Sequence, residues 1–178
     1  MKKYIIIFAL FVSMSVYGQF NSGSVYFTGV TGANLGLELT EGGSSSIPYA
    51  INVEGGYFLK NRFSVGGNIY AHGHFGIETT GSHEIFMGPA FRYYLARESG
   101  IQIYFYGNPF YSVSTGLNTW GAAAGAGMNY FITEGIALEA RGSYRYVRNY
   151  SEGFGYNQHS LTFEVGISIF FPSLTFFN

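Results

Sequence analysis

The sequence lacks several residue types on which small exported domains rely. It contains no cysteine and no aspartate, only four prolines, and charged residues make up 11% of its 178 positions. The absence of cysteine excludes disulfide cross-links and a lipid anchor attached to a cysteine. A small chain of this kind must therefore be stabilised by a sheet or a buried core.

Long apolar runs are also scarce, and the one near the N-terminus is short. Two lysines precede an apolar run over residues 4–12, and small Gly18 follows a few residues later. A helix that spans a bilayer needs about 20 apolar residues, so this run is too short for one and is typical of a secretory leader. We predict a signal peptide at residues 1–18, cleaved after Gly18, and a single domain at residues 19–178.

The balance of charge is mildly acidic. Removal of the leader takes away two lysines and leaves seven basic against ten acidic side chains, a net charge of about −3. Such a chain has no general electrostatic attraction for phosphate-rich partners. The sequence therefore predicts no nucleic-acid partner and argues against a general affinity for anionic lipid.

Glycine and aromatic residues, by contrast, are abundant. The chain has 26 glycines and 34 phenylalanines and tyrosines, and after the leader its apolar residues alternate with polar ones instead of forming helix-length runs. Because lipid offers the backbone no hydrogen-bond partners, a chain without spanning helices can cross a bilayer only as a closed sheet. Dispersed alternation with many aromatic residues therefore indicates a transmembrane β-barrel.

Alternation with a period of two, bounded by turn residues, divides the chain into eight candidate strands. They cover residues 24–39, 48–59, 62–75, 84–95, 101–113, 119–132, 136–148 and 159–171. The connections alternate between short and generally longer, as they do in outer-membrane barrels, where short turns face the periplasm and longer loops face outside. The sequence therefore predicts an all-β fold, an eight-stranded antiparallel up-and-down transmembrane β-barrel.

Aromatic residues recur on the predicted outward face near both ends of these strands. They form two girdles, with Tyr57, Tyr93 and Tyr130 toward the periplasm and Tyr49, Phe75, Tyr111, Trp120 and Tyr146 at the opposite end. The ten residues from Trp120 to Tyr130 make about 33 Å of strand, which at a tilt near 40° spans roughly 25 Å. This is the height of the apolar band of an outer-membrane barrel.

Most charged residues of the predicted strands, Glu38 among them, fall on the inward register. The predicted interior cluster consists of Glu54, Arg92, Glu139, Arg141, Arg145 and Glu164. An eight-stranded barrel is just wide enough for its side chains to fill, so we predict that these charges pair as a salt-bridged plug. Turning Arg141 and Arg145 toward lipid would cost about 2–4 kcal/mol each near mid-membrane. The alternative interpretation is a selectivity path for ions or small solutes.

The sixth segment is rich in small residues, from Gly121 through three alanines to Gly127. Alanine favours helices, and the spacing of Gly121 and Gly125 resembles a helix-dimer motif. The surrounding pattern favours a strand, in which small inward residues leave room for Tyr104 and Tyr106.

No set of residues predicts catalysis or a bound cofactor. The four histidines fall near the outer end, where His72 and His74 share a face, but no cysteine or aspartate is available to complete a metal shell. His159 and Ser160 are a base next to a nucleophile, yet adjacent side chains of a strand point to opposite faces. We therefore predict a protein that is not an enzyme and that holds neither a metal nor another cofactor.

The last predicted strand carries a further pattern. Glu164, Gly166, Ile169 and Phe171 give a polar residue, a glycine and two apolar positions that end in an aromatic. This resembles the assembly signal of outer-membrane barrels. With the leader, the eight segments and the girdles, the chain resembles the small OmpA and OmpX type barrels of the outer membrane protein β-barrel domain family. The resemblance implies an outer-membrane location, with outer-membrane lipid and the barrel-assembly machinery as partners, although residues 172–178 continue past the signal.

Three functions follow from this layout. The leading hypothesis is an envelope scaffold or surface-interaction protein with a plugged interior, which binds a partner outside the cell through loops 40–47, 76–83 and 149–158. The alternative is a narrow channel or a carrier for ions or small hydrophobic solutes. Its outer pocket would be lined by Tyr26, Tyr70, Tyr104, Tyr106 and Phe110. A lipid-modifying enzyme is the third, but the chain has no recognisable motif for it.

Overall fold

A computed structural model describes residues 22–35, 47–75, 84–95, 100–112, 118–151 and 154–172 of the chain. They form eight strands, β1 (Val25–Leu35), β2 (Ile47–Lys60), β3 (Phe63–Phe75), β4 (Glu84–Tyr94), β5 (Ile101–Ser112), β6 (Asn118–Phe131), β7 (Ile136–Ser151) and β8 (Phe154–Phe171). Within these ranges, no helix has the length and apolar character that a bilayer crossing requires.

Each strand pairs antiparallel with the next one in sequence, and β1 also pairs with β8, so the sheet closes into a barrel. The predicted eight-stranded antiparallel up-and-down barrel is confirmed. Closure gives every strand a neighbour on both sides, which satisfies the backbone in lipid. We call the end that holds the β2–β3 and β6–β7 turns the turn end, and the opposite end the loop end.

The strands are staggered, and the stagger sets their tilt. Gly29 of β1 pairs with Ile167 of β8 on one side. Gly29 also pairs with Val53 of β2. From Val53 the row of directly paired residues continues from strand to strand through Ile69, Met87, Tyr111, Trp120, Arg148 and Asn157. The row therefore returns to β8 ten residues away from Ile167, at Asn157. With about 3.3 Å per residue and 4.8 Å between strands, this stagger tilts the strands by roughly 40°.

Side chains alternate between a buried inner face and an outer face along the strands. In β5, every second residue from Gln102 to Ser112 is buried, while Ile101, Ile103 and Phe105 are exposed on the outside. The outer face is mainly apolar and the inner face carries most of the charged and polar side chains. This distribution suits lipid outside and a filled polar interior.

The buried interior contains two aromatic layers, with charged residues at their boundary. The layer at the turn end comprises Tyr26, Phe58, Tyr94, Tyr104, Tyr106, Phe131, Ala137 and Phe170. The layer toward the loop end comprises Ala50, Tyr70, Phe86, Phe110, Ala123 and Val147. The structure therefore does not gather the five aromatic residues of the predicted solute pocket, because three of them lie in the first layer and two in the second.

The β7–β8 connection differs from the prediction. The sequence predicts a loop over residues 149–158, but β7 continues to Ser151, β8 begins at Phe154, and these two residues pair. That prediction is wrong, and His159 lies within β8 instead of at its start. Asparagine and glycine are typical of turns, but the hydrogen bonds of a paired hairpin override that preference. Several predicted features lie outside the described residues: the leader, Glu38, nearly all of loop 40–47, loop 76–83, residues 113–117 between β5 and β6, and the tail beyond Pro172.

Candidate functional site

Arg92 is the centre of a buried charged network. Its Nε donates a hydrogen bond to Oε1 of Glu54 over 2.6 Å, and its two terminal nitrogens donate to Oε2 and Oε1 of Glu139 over 3.2 and 3.3 Å. All three side chains are fully buried. Because they come from β4, β2 and β7, these ion pairs cross the interior of the barrel instead of following one pair of neighbouring strands.

Arg141 extends the network to β8. One of its terminal nitrogens lies 3.1 Å from Oε2 of Glu54 and 3.5 Å from Oε1 of Glu139. Its Nε donates to Oε2 of Glu164 over 2.5 Å. Burial of an ion costs several kcal/mol unless the ion is paired and hydrogen-bonded. Two guanidinium groups facing three carboxylates meet that condition, so these five predicted cluster residues form one connected unit.

Two tyrosines complete the surroundings of the central charges. Tyr26 donates a hydrogen bond to Oε1 of Glu54, and Tyr104 donates one to Oε1 of Glu139, each over 2.6 Å. Their ring centroids lie 4.7 and 4.6 Å from Cζ of Arg92. Each tyrosine therefore contributes a charge-assisted hydrogen bond to a carboxylate and a cation–π contact to the guanidinium.

Glycines provide the space for these two rings. Tyr26 pairs with Gly56, and Tyr104 pairs with Gly127. A Cβ atom on either glycine would overlap the ring of its paired tyrosine. The small inward residues of β6 thus make room for Tyr104, as the sequence pattern indicated.

The network also reaches the seam where β1 meets β8. Thr28 donates a hydrogen bond to Oε2 of Glu139 over 2.8 Å. The hydroxyl of Ser168 contacts both Thr28 and Glu139, and Thr28 and Ser168 pair directly across the seam. Glu139 on β7 is therefore connected to both strands that close the barrel. Apart from their inward register, no sequence pattern indicated a role for these hydroxyls.

Arg145 is buried but stands apart from the network. Its Cζ lies 3.5 Å from the ring centroid of Tyr70 and 5.2 Å from that of Phe110. Among the described residues, no carboxylate lies within ion-pair distance of it, and its Nε has no hydrogen-bond partner. The prediction that all six charges pair is therefore wrong for Arg145, which packs against aromatic faces of the loop-end layer.

We expect the Arg145→Met variant to change the free energy of unfolding by no more than about 1 kcal/mol. The lost cation–π contact is offset because a buried charge without a carboxylate partner has been removed. Urea-induced unfolding in detergent micelles, followed through the fluorescence of Trp120, measures this change. A loss above about 3 kcal/mol would mean that Arg145 is held as strongly as a paired buried charge.

Three buried asparagines lie on the loop-end side of the network: Asn52 on β2, Asn68 on β3 and Asn108 on β5. In the part of the chain that the structure describes, their Oδ1 atoms have no hydrogen-bond partner, and neither do Nη2 of Arg141 and Oε1 of Glu164. Buried polar groups are generally hydrogen-bonded, to ordered water where protein partners are lacking. We infer that this level of the interior is hydrated.

The histidines are distributed over different environments. Nε2 of His72 lies 3.0 Å from Oε2 of Glu84, and the His72 ring stacks on Phe86. His159 points outward, where its Nδ1 is hydrogen-bonded to the hydroxyl of Tyr144. The described ranges contain no group of three or more His, Cys, Asp or Glu side chains that could hold a metal ion. The side chain of His74 and all of His83 lie outside those ranges.

Aromatic side chains of the outer face stand near both ends of the barrel. The predicted girdle residues whose side chains are described are Tyr57, Tyr93 and Tyr130 at the turn end and Tyr49, Tyr111, Trp120 and Tyr146 at the loop end. The side chain of Phe75 is not among the described ones. In the predicted assembly signal, Glu164 and Gly166 lie on the inward register of β8, and Ile169 and Phe171 lie on the outward register. Their roles as girdles and as an assembly signal stay predictions.

A closed antiparallel barrel with an apolar exterior, outward aromatic rings and a charged, filled interior defines a class of protein, the transmembrane β-barrels of bacterial outer membranes. The sequence profile of the outer membrane protein beta-barrel domain matches residues 5–168. The chain belongs to this family, which indicates that it resides in the outer membrane. The family and the similar structures are mostly barrels without enzymatic activity.

Solved structures of small outer-membrane barrels share the fold. The N-terminal β-barrel domain of OprF from Pseudomonas aeruginosa aligns with a TM-score of 0.57 and 13% identity, over 84% of this chain and 98% of that one. Neisserial surface protein A aligns with a TM-score of 0.57 and 17% identity, over 83% and 97%. OprG from Pseudomonas aeruginosa aligns with a TM-score of 0.53 and 12% identity, over 88% and 100%. At such low identity the likeness concerns the fold alone, and no curated protein is similar to the chain in sequence.

Proposed function

We propose that the protein is a non-conducting envelope scaffold, exported with a cleaved leader at residues 1–18, whose loop end contacts a partner outside the cell. The observation that carries this proposal is the buried network centred on Arg92, which connects strands on opposite sides of the barrel. In an eight-stranded barrel the side chains of one level fill the cross-section. Ions have no water-filled route past a level occupied by paired charges and tyrosine rings.

The turn-end aromatic layer supports the same function because it closes the barrel a second time. The ring centroids of Phe58 and Tyr94 are 5.3 Å apart, those of Tyr94 and Phe170 are 6.4 Å apart, and those of Phe170 and Phe131 are 5.3 Å apart. These rings come from β2, β4, β6 and β8, so they meet from all sides of the interior. A solute that crossed the barrel would have to displace both this layer and the network.

The β7–β8 hairpin supports a role in surface interaction. Its pairing continues to Ser151 and Phe154 at the loop end. A paired hairpin loses less conformational freedom on binding than a loop does. We propose that this hairpin, with loops 40–47 and 76–83, forms the surface that a partner outside the cell binds.

A narrow channel or carrier is the second candidate function, and the buried polar atoms of Asn52, Asn68 and Asn108 that have no protein partner in the described structure are the observation that favours it. Water at this level would bring small polar solutes as far as Arg141 and Glu164, whose free polar atoms face no protein partner in the described structure. Transport would then require the ion pairs of Arg92 to open.

We expect the purified, refolded protein to give no discrete single-channel openings in a planar lipid bilayer. A heat-modifiability gel on the same preparation establishes that the barrel has formed, and protein-free detergent serves as the control. The absence of single-channel openings from a folded barrel supports the scaffold function. Discrete openings from a folded barrel would contradict it, and openings that vanish in the Arg141→Met variant would assign the path to the network.

A further inference from the structure

Arg145 is a buried cation to which the charged network supplies no carboxylate. It is 7% exposed, and within the described ranges its Nε has no hydrogen-bond partner. Arg141, which is bonded to Glu164, lies four residues away on β7, about 13 Å along the strand. Among the described residues, Glu84 is the one inward carboxylate outside the network, and it is bonded to His72. Because a buried charge is costly without an opposite charge, a negatively charged ligand would be stabilised next to Arg145.

Two aromatic rings hold the guanidinium of Arg145 in the interior. Its Cζ lies 3.5 Å from the ring centroid of Tyr70 and 5.2 Å from that of Phe110. Tyr70 belongs to β3, Phe110 to β5 and Arg145 to β7, so the guanidinium lies between three strands that are not neighbours. Aromatic faces attract the charge but accept no conventional hydrogen bond. The Nε–H of Arg145 therefore stays available to a ligand.

Two of the asparagines with unpartnered atoms lie beside Tyr70. Asn52 of β2 pairs directly with Tyr70, and Asn68 precedes Tyr70 by two residues on the same face of β3. Both asparagines are buried, and neither Oδ1 atom has a partner in the part of the interior that the structure describes. They therefore offer hydrogen-bond acceptors on the β2–β3 side of the guanidinium.

The third asparagine, Asn108, lies on the β5 side of the guanidinium. It precedes Phe110 by two residues on the same face of β5, and in the row of paired residues only Ala123 of β6 separates it from Arg145. The small side chain of Ala123 leaves the space between these two residues open. Both polar atoms of the Asn108 amide are buried and lack a partner among the described residues. Asn108 thus adds a donor and an acceptor next to the positive charge.

This part of the interior contacts solvent at the loop end. Ser160 of β8 pairs directly with Arg145 on the inward register, and both Ser160 and His72 of β3 are partly exposed. On the other side, the network around Arg92 closes the barrel. A small ligand would therefore enter and leave through the loop end, whether or not the network ever opens.

We propose that the loop-end interior binds one small hydroxycarboxylate between Arg145 and the three asparagines. The ligand carboxylate accepts hydrogen bonds from the guanidinium and from Nδ2 of Asn108, and the ligand hydroxyl donates to an asparagine Oδ1. A ligand with charge alone would leave these acceptors unpartnered, and one with a hydroxyl alone would leave Arg145 without an opposite charge. This site needs no conduction and no partner outside the cell, so it goes beyond the proposed function.

Three molecules of nearly equal size test the chemistry of the site. Glycolate has both groups, acetate lacks the hydroxyl, and glycolamide lacks the charge. Glycolate takes the volume of about two water molecules. Binding to the refolded barrel in a non-ionic detergent is measured by saturation-transfer NMR titration, with protein-free micelles as the blank. We expect glycolate to bind about threefold to tenfold more tightly than acetate, the effect of one further hydrogen bond, and glycolamide to show no binding at the same concentrations.

The Arg145→Met variant should lose glycolate binding, whereas Arg145→Lys, which keeps the charge, should bind more weakly. Arg148→Met is the matched control, since it removes an arginine from the outward face of the same strand and should leave binding unchanged. A heat-modifiability gel verifies each fold. Equal binding of glycolate and acetate by the wild type would overturn the proposal, and so would glycolate binding that survives Arg145→Met. Absence of glycolate binding by the folded wild type would also overturn it, without bearing on the scaffold function that conductance tests.

Discussion

Replacement of Arg92 by methionine is expected to lower the free energy of unfolding by about 3–5 kcal/mol, the cost of leaving buried carboxylates without their partner. Glu54 would lose its 2.6 Å contact and Glu139 would lose both of its bonds to Arg92. Arg141 would remain near both carboxylates, but it already forms an ion pair with Glu164 and cannot replace Arg92. Urea-induced unfolding of the refolded barrel, followed by Trp120 fluorescence, measures the loss.

The matched control for this variant is Arg145→Met, which makes the same change of side chain at a buried arginine that has no carboxylate partner in the described structure. A loss below about 1 kcal/mol for Arg92→Met, or equal losses for the two variants, would contradict the network as a stabilising unit. Combination of Arg92→Met with Glu139→Gln should recover part of the stability, because one unpaired charge has been removed from the interior.

A valine at Gly125 is expected to prevent formation of the barrel or to cost more than about 3 kcal/mol. A Cβ atom there would overlap the carbonyl oxygen of Gly142 and lie 2.8 Å from Cα of Ser143. These are backbone atoms of the paired strand β7, so they cannot move aside without breaking the β6–β7 ladder. The absence of a heat-modifiable band after refolding is the expected result.

The control lies one residue away. Ala124 points outward and is exposed, so Ala124→Val adds the same kind of branched side chain on the lipid side of the same strand. We expect a normal heat-modifiable band and a change within about 0.5 kcal/mol. If Gly125→Val folded as well as Ala124→Val, the close approach of β6 and β7 at this point would be refuted.

The fold was predictable because its signal is local. Alternation of apolar and polar residues fixes which face each strand turns to lipid, and it holds even in the alanine-rich β6, where propensity alone favours a helix. The same local reasoning failed at residues 149–158. There the asparagines and glycines indicate a turn, but continued pairing of β7 with β8 outweighs their preference.

The sequence predicts which side chains of the candidate site face the interior, but it does not predict which of them form ion pairs. The inward position of Arg92 and Glu139 follows from alternation, yet their contact joins β4 to β7, strands that are not neighbours. Which charges meet depends on the ten-residue stagger of the whole barrel, and no single segment encodes that quantity. This is why Arg145, on the same face of β7 as Arg141, meets Tyr70 instead of a carboxylate.

The connection of Glu139 to Thr28 and Ser168 bears on how the barrel forms. These hydroxyls are brought together only when β1 pairs with β8. An open sheet in lipid would hold the carboxylates of Glu54, Glu139 and Glu164 next to a gap, without the full set of donors that neutralises them. An incomplete set of partners for a buried charge is strongly unfavourable. Partly closed forms of the barrel are therefore unstable in the membrane. Assembly of this chain should therefore be all-or-none, with its charges kept in water until the final strand completes the cylinder.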